Sequence, residues 1–284
     1  MKLGLALSGG GIRGIAHAGV LKALEDNKIK IDVIGGTSSG GIIAALYAMG
    51  YSPYYIFELF KRYAKDVAAI NGSTIISGIK AYKMTKNSNV KGLNSGELLE
   101  KEFDKIANKK GIKIIKDINM PIAIPTVDIS NVNKYVFTNS ISKEKNTYYI
   151  TDINIGKAIR ATSCFPGVFN PVKYKNHMFL DGGILDNVPV EEVRKKGATK
   201  VMAVNFAADE VNEQSNAMDI IMRTIDAMGN KISDNNLQSS DYVLTVPTDK
   251  TGLLDVEKLD SCFKYGYESV VNNLEKIKKL QIEN

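Results

Sequence analysis

An α/β fold, one sheet with helices on both faces, is what this sequence predicts, and three observations predict it. Short apolar runs of strand character alternate with helical runs along most of the chain, the order expected of a sheet buried on both sides. The first apolar run leads directly into a glycine-rich turn and then a helix. Over 284 residues, 44% hydrophobic and 24% charged content supply a core of ordinary size, far from the composition of disordered chains.

Leu3 to Leu7 reads as the first strand, too short for a secretory core and without a small-residue cleavage site after it. Ile15 to Glu25 follows as a helix, Ile31 to Ile34 as a strand and Ser39 to Met49 as a second helix. Beyond it, Ile56, Leu59, Phe60, Tyr63 and Val67 share one helical face, with Glu58, Lys61, Arg62 and Lys65 elsewhere. Such a stripe serves a core-packing helix or one lying on a membrane. Gly72 to Asn94 is irregular, and its Lys80, Lys83, Lys86 and Lys91 suit either a solvated loop or anionic headgroups. It ends where Asn94 and Glu97 could box the start of a helix.

Strands are then expected at Pro121 to Val127, Tyr135 to Thr138, Met178 to Leu180, Lys200 to Asn205 and Tyr242 to Val246. Helices are expected at Ile155 to Ala161, Val190 to Lys195, Met218 to Ile232 and Leu259 to Lys279, with a polar loop from Ala207 to Asn216. No stretch has the length or composition of an interdomain linker. One domain over 1–284 is therefore expected, its motifs in about 3–208 and residues 209–284 completing it.

Cys164 and Cys262 have no metal-ligand spacing and form no disulfide framework, which suits a reducing cytosol. No run approaches the roughly 20 apolar residues of a membrane span. The net charge of +6 permits attraction to anionic surfaces and identifies none.

Chemistry enters with Ser8-Gly9-Gly10-Gly11-Ile12-Arg13-Gly14. Gly9, Gly11 and Gly14 satisfy the spacing of a dinucleotide loop, but the next strand ends in Val33-Ile34-Gly35-Gly36 without the acidic ribose anchor. No Gly-Lys-Ser/Thr follows, against a nucleotide phosphate loop. An empty tight turn is a poor use of three consecutive glycines. An oxyanion hole remains, with backbone N–H groups at a helix start aimed at developing negative charge. Arg13 either aids that anion or pairs with a surface carboxylate.

The second turn, Gly36-Thr37-Ser38-Ser39-Gly40, lies between an apolar strand and a helix. A serine so placed is pushed outward at the carboxyl end of the sheet, as a nucleophile needs. Its base is less evident. His17 falls on the packed side of the first helix. His177 and Asp181 would share a strand face about 13 Å apart, at ~3.3 Å per residue, and no histidine follows Asp181. Asp181 precedes Gly182 and Gly183, so it is either a solvated turn aspartate or a carboxylate left open to a neighbour.

Taken together, the glycine loop, the serine turn and Asp181-Gly182-Gly183 resemble the patatin-like phospholipases, in order and in spacing. Arg160-Ala161-Thr162-Ser163-Cys164-Phe165-Pro166-Gly167-Val168-Phe169 fits as well, and the similarity covers about Leu3 to Ala208. The resemblance implies a doubly wound, mostly parallel sheet carrying a Ser38–Asp181 dyad without histidine. It further implies an oxyanion hole from Gly9, Gly10, Gly11 and Arg13, supported by Gly14, Gly36, Gly40, Gly182 and Gly183. Ser38 would attack an acyl ester, Asp181 would take its proton, and water would release the fatty acid. Partial desolvation in a lipid-filled cleft would raise the aspartate from its ordinary ~3.9 and suit it better to that task.

The expected substrate is thus a phospholipid or related acyl ester met at a membrane or micelle, with no metal, cofactor, nucleic acid or transmembrane segment. The location expected is cytoplasmic, with peripheral membrane contact. The rivals are a carboxylesterase or thioesterase acting on soluble esters, and a lipid-binding protein without catalysis.

Overall fold

Alternation within the strands decides which face each residue covers. In β1 (Leu3–Leu7), Leu3, Leu5 and Leu7 enter the larger core, while Ala6 joins a smaller one on the opposite face. The same period divides β2 (Val33–Gly36), where Ile34 joins the larger core and Val33 the smaller. In β8 (Lys200–Phe206), Met202 and Val204 separate likewise from Val201 and Ala203. This is the two-residue repeat of a pleated strand buried on both sides.

The computed structural model describes residues 1–64, 95–140, 148–166, 168–207, 217–248, 251 and 255–282, without the side chains of 217–223, 225, 226 and 230. The remaining strands are β3 (Ile122–Asp128), β4 (Asn133–Thr138), β5 (Tyr149–Ile150), β6 (Val172–Tyr174), β7 (His177–Asp181), β8 (Lys200–Phe206) and β9 (Tyr242–Val246). They form one sheet in the order β5-β4-β3-β2-β1-β8-β9, with β7 paired to β3 and β6. The run β3-β2-β1-β8-β9 is parallel throughout, whereas β4 and β7 lie antiparallel to β3.

Helices cover both faces. The larger core takes α1 (Ile15–Asp26), α2 (Ser39–Ala48), α3 (53–64), α4 (Glu97–Asn108), α5 (Ile155–Thr162) and α8 (Leu259–Asn272). The smaller takes Val190 and Val193 of α6 (Val190–Lys195), with Leu237 of α7 (Ala217–Gln238) packed against it. No helix among the described residues is long and apolar enough to cross a membrane.

Some expectations hold and others change. The apolar stripe after α2 turns inward in its described part, with Ile56 and Phe60 buried and Leu59 and Tyr63 packed half-buried against the larger core, while Val67 lies outside the described residues. The lysines at 80, 83, 86 and 91, the loop at 72–94 and most of the loop at 207–216 lie outside the described residues. The helix start near Glu97 has Gly96 as its N-cap, with φ 69°, so Glu97 occupies the first helical position and cannot close a box from the third. The long helix expected at 259–279 breaks after Asn272, and α9 (Leu274–Lys278) follows. The strands β5 and β6 escaped sequence reading because two or three residues show no period.

Candidate active site

Where β2 leaves the sheet, β7 enters it. β4 occupies one edge of β3, and β2 holds the other edge at Ile122 and Ala123. Farther along, Thr126 to Asp128 pair with β7, which must use the edge that β2 has vacated. Because β2 is parallel and β7 antiparallel to β3, their carboxyl ends approach head to head. Asp181 ends β7 opposite Thr126, and the chain leaving β2 arrives at Ser38.

Ser38 lies at the N-cap of α2 with φ 54° and ψ −124°, a conformation that costs a non-glycine residue about 1–3 kcal/mol. Its N–H donates to Thr162 Oγ1 at 3.1 Å, and the Thr162 hydroxyl donates to Pro125 O at 2.6 Å. Its Oγ donates to Asp181 Oδ2 at 2.7 Å, across 143 residues of chain. Asp181 is 4% exposed. Its Oδ1 accepts the Gly183 N–H at 2.8 Å, and its own N–H donates to Cys164 O at 3.0 Å. One carboxylate oxygen is thus anchored to backbone while the other meets the hydroxyl. A serine hydroxyl bonded to an adjacent base is arranged for nucleophilic attack.

The glycine loop faces this pair in parts. Gly9 abuts Ser38, since a Cβ built on it would come within 3.1 Å of the serine Cβ. Its N–H, however, donates to the backbone O and Oδ1 of Asn187 at 3.2 and 3.1 Å, which withdraws Gly9 from the expected oxyanion donors. The N–H groups of Gly10 and Gly11 have no acceptor among the described residues. Arg13 is buried rather than at the surface. Its Nε donates to Gly10 O at 3.1 Å, and its guanidinium stands 5.6 Å from the Phe206 ring centroid. Holding that carbonyl orients the Gly11 N–H to the opposite side of the planar trans peptide. Arg13 therefore shapes the loop.

The other glycines space the segments. Gly14 abuts Ser39, Gly36 faces Gly40 across the serine turn, and Gly182 lies against Pro125 and Thr37. Gly40 itself abuts Ser8 and Leu7, and Gly183 borders Asp181.

Neither histidine reaches the pair. His17 is fully buried and bonds Ser8 O through Nε2 at 2.8 Å. His177 begins β7, four residues before Asp181, and its Nδ1 meets Asp128 Oδ2 at 2.8 Å. Among the described residues, no three His, Cys, Asp or Glu side chains gather as a metal site. Sequence reading missed Thr162, Asp186 and Asn187. Thr162 lay within a noted motif without an assigned role, and nothing local to Asn187 signals a contact with residue 9.

Comparison with known proteins agrees with this architecture. Lysophospholipase NTE1 of Meyerozyma guilliermondii is 34% identical over 206 residues, covering 72% of this chain and 13% of that protein. The Candida albicans protein of the same name is 28% identical over 93% of this chain and 19% of its own length. This chain thus spans less than a fifth of either relative. Among solved structures, VipD from Legionella pneumophila superposes with a TM-score of 0.52 at 14% identity, over 97% of this chain and 67% of that one. ExoU in its complex with SpcU from Pseudomonas aeruginosa gives 0.52 at 20% identity, over 100% and 52%. At such identities the likeness concerns the fold alone. The family model for patatin-like phospholipase matches residues 5–194, and the chain belongs to that family.

Proposed function

We propose that the chain is a serine lipid acyl hydrolase that cleaves fatty acyl esters through an acyl-enzyme on Ser38. The observation that carries the reading is the 2.7 Å hydrogen bond from Ser38 Oγ to the buried Asp181 Oδ2. In this reading the Ser38 proton passes to Asp181 as Oγ bonds the ester carbonyl carbon. The carbonyl oxygen takes the displaced electron pair and is held by the Gly10 and Gly11 N–H groups. A preorganised donor of this kind contributes about 3–4 kcal/mol to the transition state. The leaving oxygen recovers the proton from Asp181 and departs. Water, deprotonated by the same carboxylate, then attacks the acyl-enzyme; the bond to Ser38 Oγ breaks, Oγ recovers the proton from Asp181, and the fatty acid leaves. No histidine is needed, because the aspartate contacts the nucleophile directly. A single domain, completed by β9 and α8, supports the site.

The substrate proposed is a phospholipid met at a membrane or micelle surface, with a single-chain phospholipid foremost. Membership of the family and the similarity to lysophospholipase NTE1 proteins favour it.

The test is hydrolysis of a monomeric p-nitrophenyl ester and of micellar lysophospholipid. Ser38→Ala should lower kcat by about 10³-fold or more on both, and Asp181→Asn by a comparable factor, with melting temperatures retained. A Ser38→Ala protein that turns over at the wild-type rate ends the acyl-enzyme reading. Turnover of the monomeric ester alone makes the protein a soluble esterase instead.

A further inference from the structure

Asn187 sits where three segments of the site meet. Its Oδ1 and its backbone O both accept the Gly9 N–H, at 3.1 and 3.2 Å. Its backbone N–H donates to Ser233 Oγ of α7 at 3.0 Å. One residue earlier, the carbonyl of Asp186 accepts the Thr37 hydroxyl at 2.8 Å, beside the nucleophile. A Cβ added to Gly9 would be wedged between Asn187 Oδ1 at 2.5 Å and Ser38 Cβ at 3.1 Å. One added to Gly183 would lie 3.1 Å from both Asn187 Oδ1 and Asp181 Oδ1. A single buried amide therefore borders the glycine loop and the turn that anchors the aspartate, and the loop in turn borders Ser38.

The residue type suits the place. An amide oxygen accepts a backbone N–H without bringing charge. A carboxylate there would set negative charge beside the position where an oxyanion forms, opposing it.

We propose that Asn187 is a positioning residue for the oxyanion hole. By taking the Gly9 N–H it fixes the peptide planes that follow, leaving the Gly10 and Gly11 N–H groups to meet the carbonyl oxygen of the bound ester. The proposal rests on the acyl-hydrolase reading, and its geometric part has a readout of its own. Displacement of catalytic groups by about 1 Å costs on the order of 10²-fold in rate. A donor that loses its aim weakens the transition state more than the ground state, so kcat falls while KM holds.

In the full chain, Asn187→Ala is expected to lower kcat on a monomeric p-nitrophenyl ester about 10- to 100-fold. KM should stay within about twofold. Amide hydrogen exchange at Gly9 should speed up relative to wild type. A kcat within about twofold of wild type, or unchanged exchange at Gly9, overturns the proposal. If Asn187→Ala does not fold, Asn187→Ser decides. Its shorter side chain withdraws the acceptor from the Gly9 N–H, so Gly9 exchange should speed up while kcat falls at least about tenfold, and wild-type kcat or unchanged exchange in it overturns the proposal. A wild-type protein without Ser38-dependent turnover would remove the hydrolase reading instead. Gly9 exchange in Asn187→Ala would then still support the clamp by accelerating, or overturn it by staying unchanged.

Discussion

His17 is one residue through which acid reaches this fold. Its ring is fully buried, donates Nε2–H to Ser8 O at 2.8 Å and lies 4.8 Å from the Phe206 ring, tilted 37° to it. Burial lowers its pKa from 6.5 to about 4, against the pull of the Ser8 hydrogen bond, which favours the charged ring. On acidification the unfolded chain therefore takes up the proton first. The contribution to stability is complete above pH 6.5 and is lost as pH falls from there to about 4. A shift of this size corresponds to about 3 kcal/mol. Urea unfolding free energy should accordingly drop more steeply across that window in the wild type than in His17→Gln, whose amide can still donate to Ser8 O. Matching pH profiles for the two proteins would acquit His17. Ser38 stores strain at the same scale. Its positive φ persists because Thr162 holds its N–H from one side and Gly9 lies against it on the other.

Among elements, the pairing of α1 with α8 shows how the end of the chain supports its beginning. A Cβ on Gly266 would fall on the Ala16 carbonyl, and one on Gly19 would fall on that of Phe263. The two helices cross backbone to backbone, so both crossing points require glycine. Gly266→Val must push the helices apart or distort α8, an overpacking that costs about 1–3 kcal/mol or more. For a chain of this length the expected fall in melting temperature is roughly 2–10 °C, read by circular dichroism. An unchanged melting curve would show that the crossing yields freely. The sheet edge shows an element acting on chemistry. β7 continues the edge that β2 abandons, so a change of partner strand along β3 delivers the carboxylate.

Across the whole molecule, a buried charge cluster binds the segment after Asp181 to the far edge of the sheet. Lys134 Nζ of β4 lies 2.8 Å from Asp186 Oδ2 and 3.0 Å from Glu192 Oε1, and both carboxylates are at most 2% exposed. Burial opposes its charge, but the two carboxylates outweigh that and hold the ammonium above the ordinary lysine range. Asn236 of α7 and Tyr149 of β5 donate to the same carboxylates at 3.0 and 2.8 Å. Lys134→Met would leave two buried anions without their shared cation. The expected loss is about 3–5 kcal/mol at pH 7, measured by urea unfolding. A midpoint equal to wild type would mean that Asn236, Tyr149 and Lys195, whose Nζ lies 3.0 Å from Glu192 Oε1, suffice. Since Asp186 and Asn187 follow each other, this cluster also steadies the residues that contact Thr37 and Gly9.

How much was legible varies with the reach of each interaction. Ser38 was readable because a strand, a tight turn and a helix are specified by neighbours, and Gly36 and Gly40 frame it within five residues. Asp181 was readable only through resemblance. On its own residues, a solvated turn aspartate before two glycines is the favoured reading. Gly9 was read as a donor because spacing tells where glycines stand and not which N–H is already taken. Arg13 was placed between a surface ion pair and the oxyanion, and burial against Phe206 gave it a third place.

Sequence alone determined the α/β class, the serine turn and the glycine loop, since each depends on periodicity and on backbone freedom over a few residues. Tertiary structure decided which carboxylate meets the hydroxyl and which loop amides stay open. Those outcomes depend on strand order and edge exchange between residues 143 positions apart, and no local pattern encodes such distances.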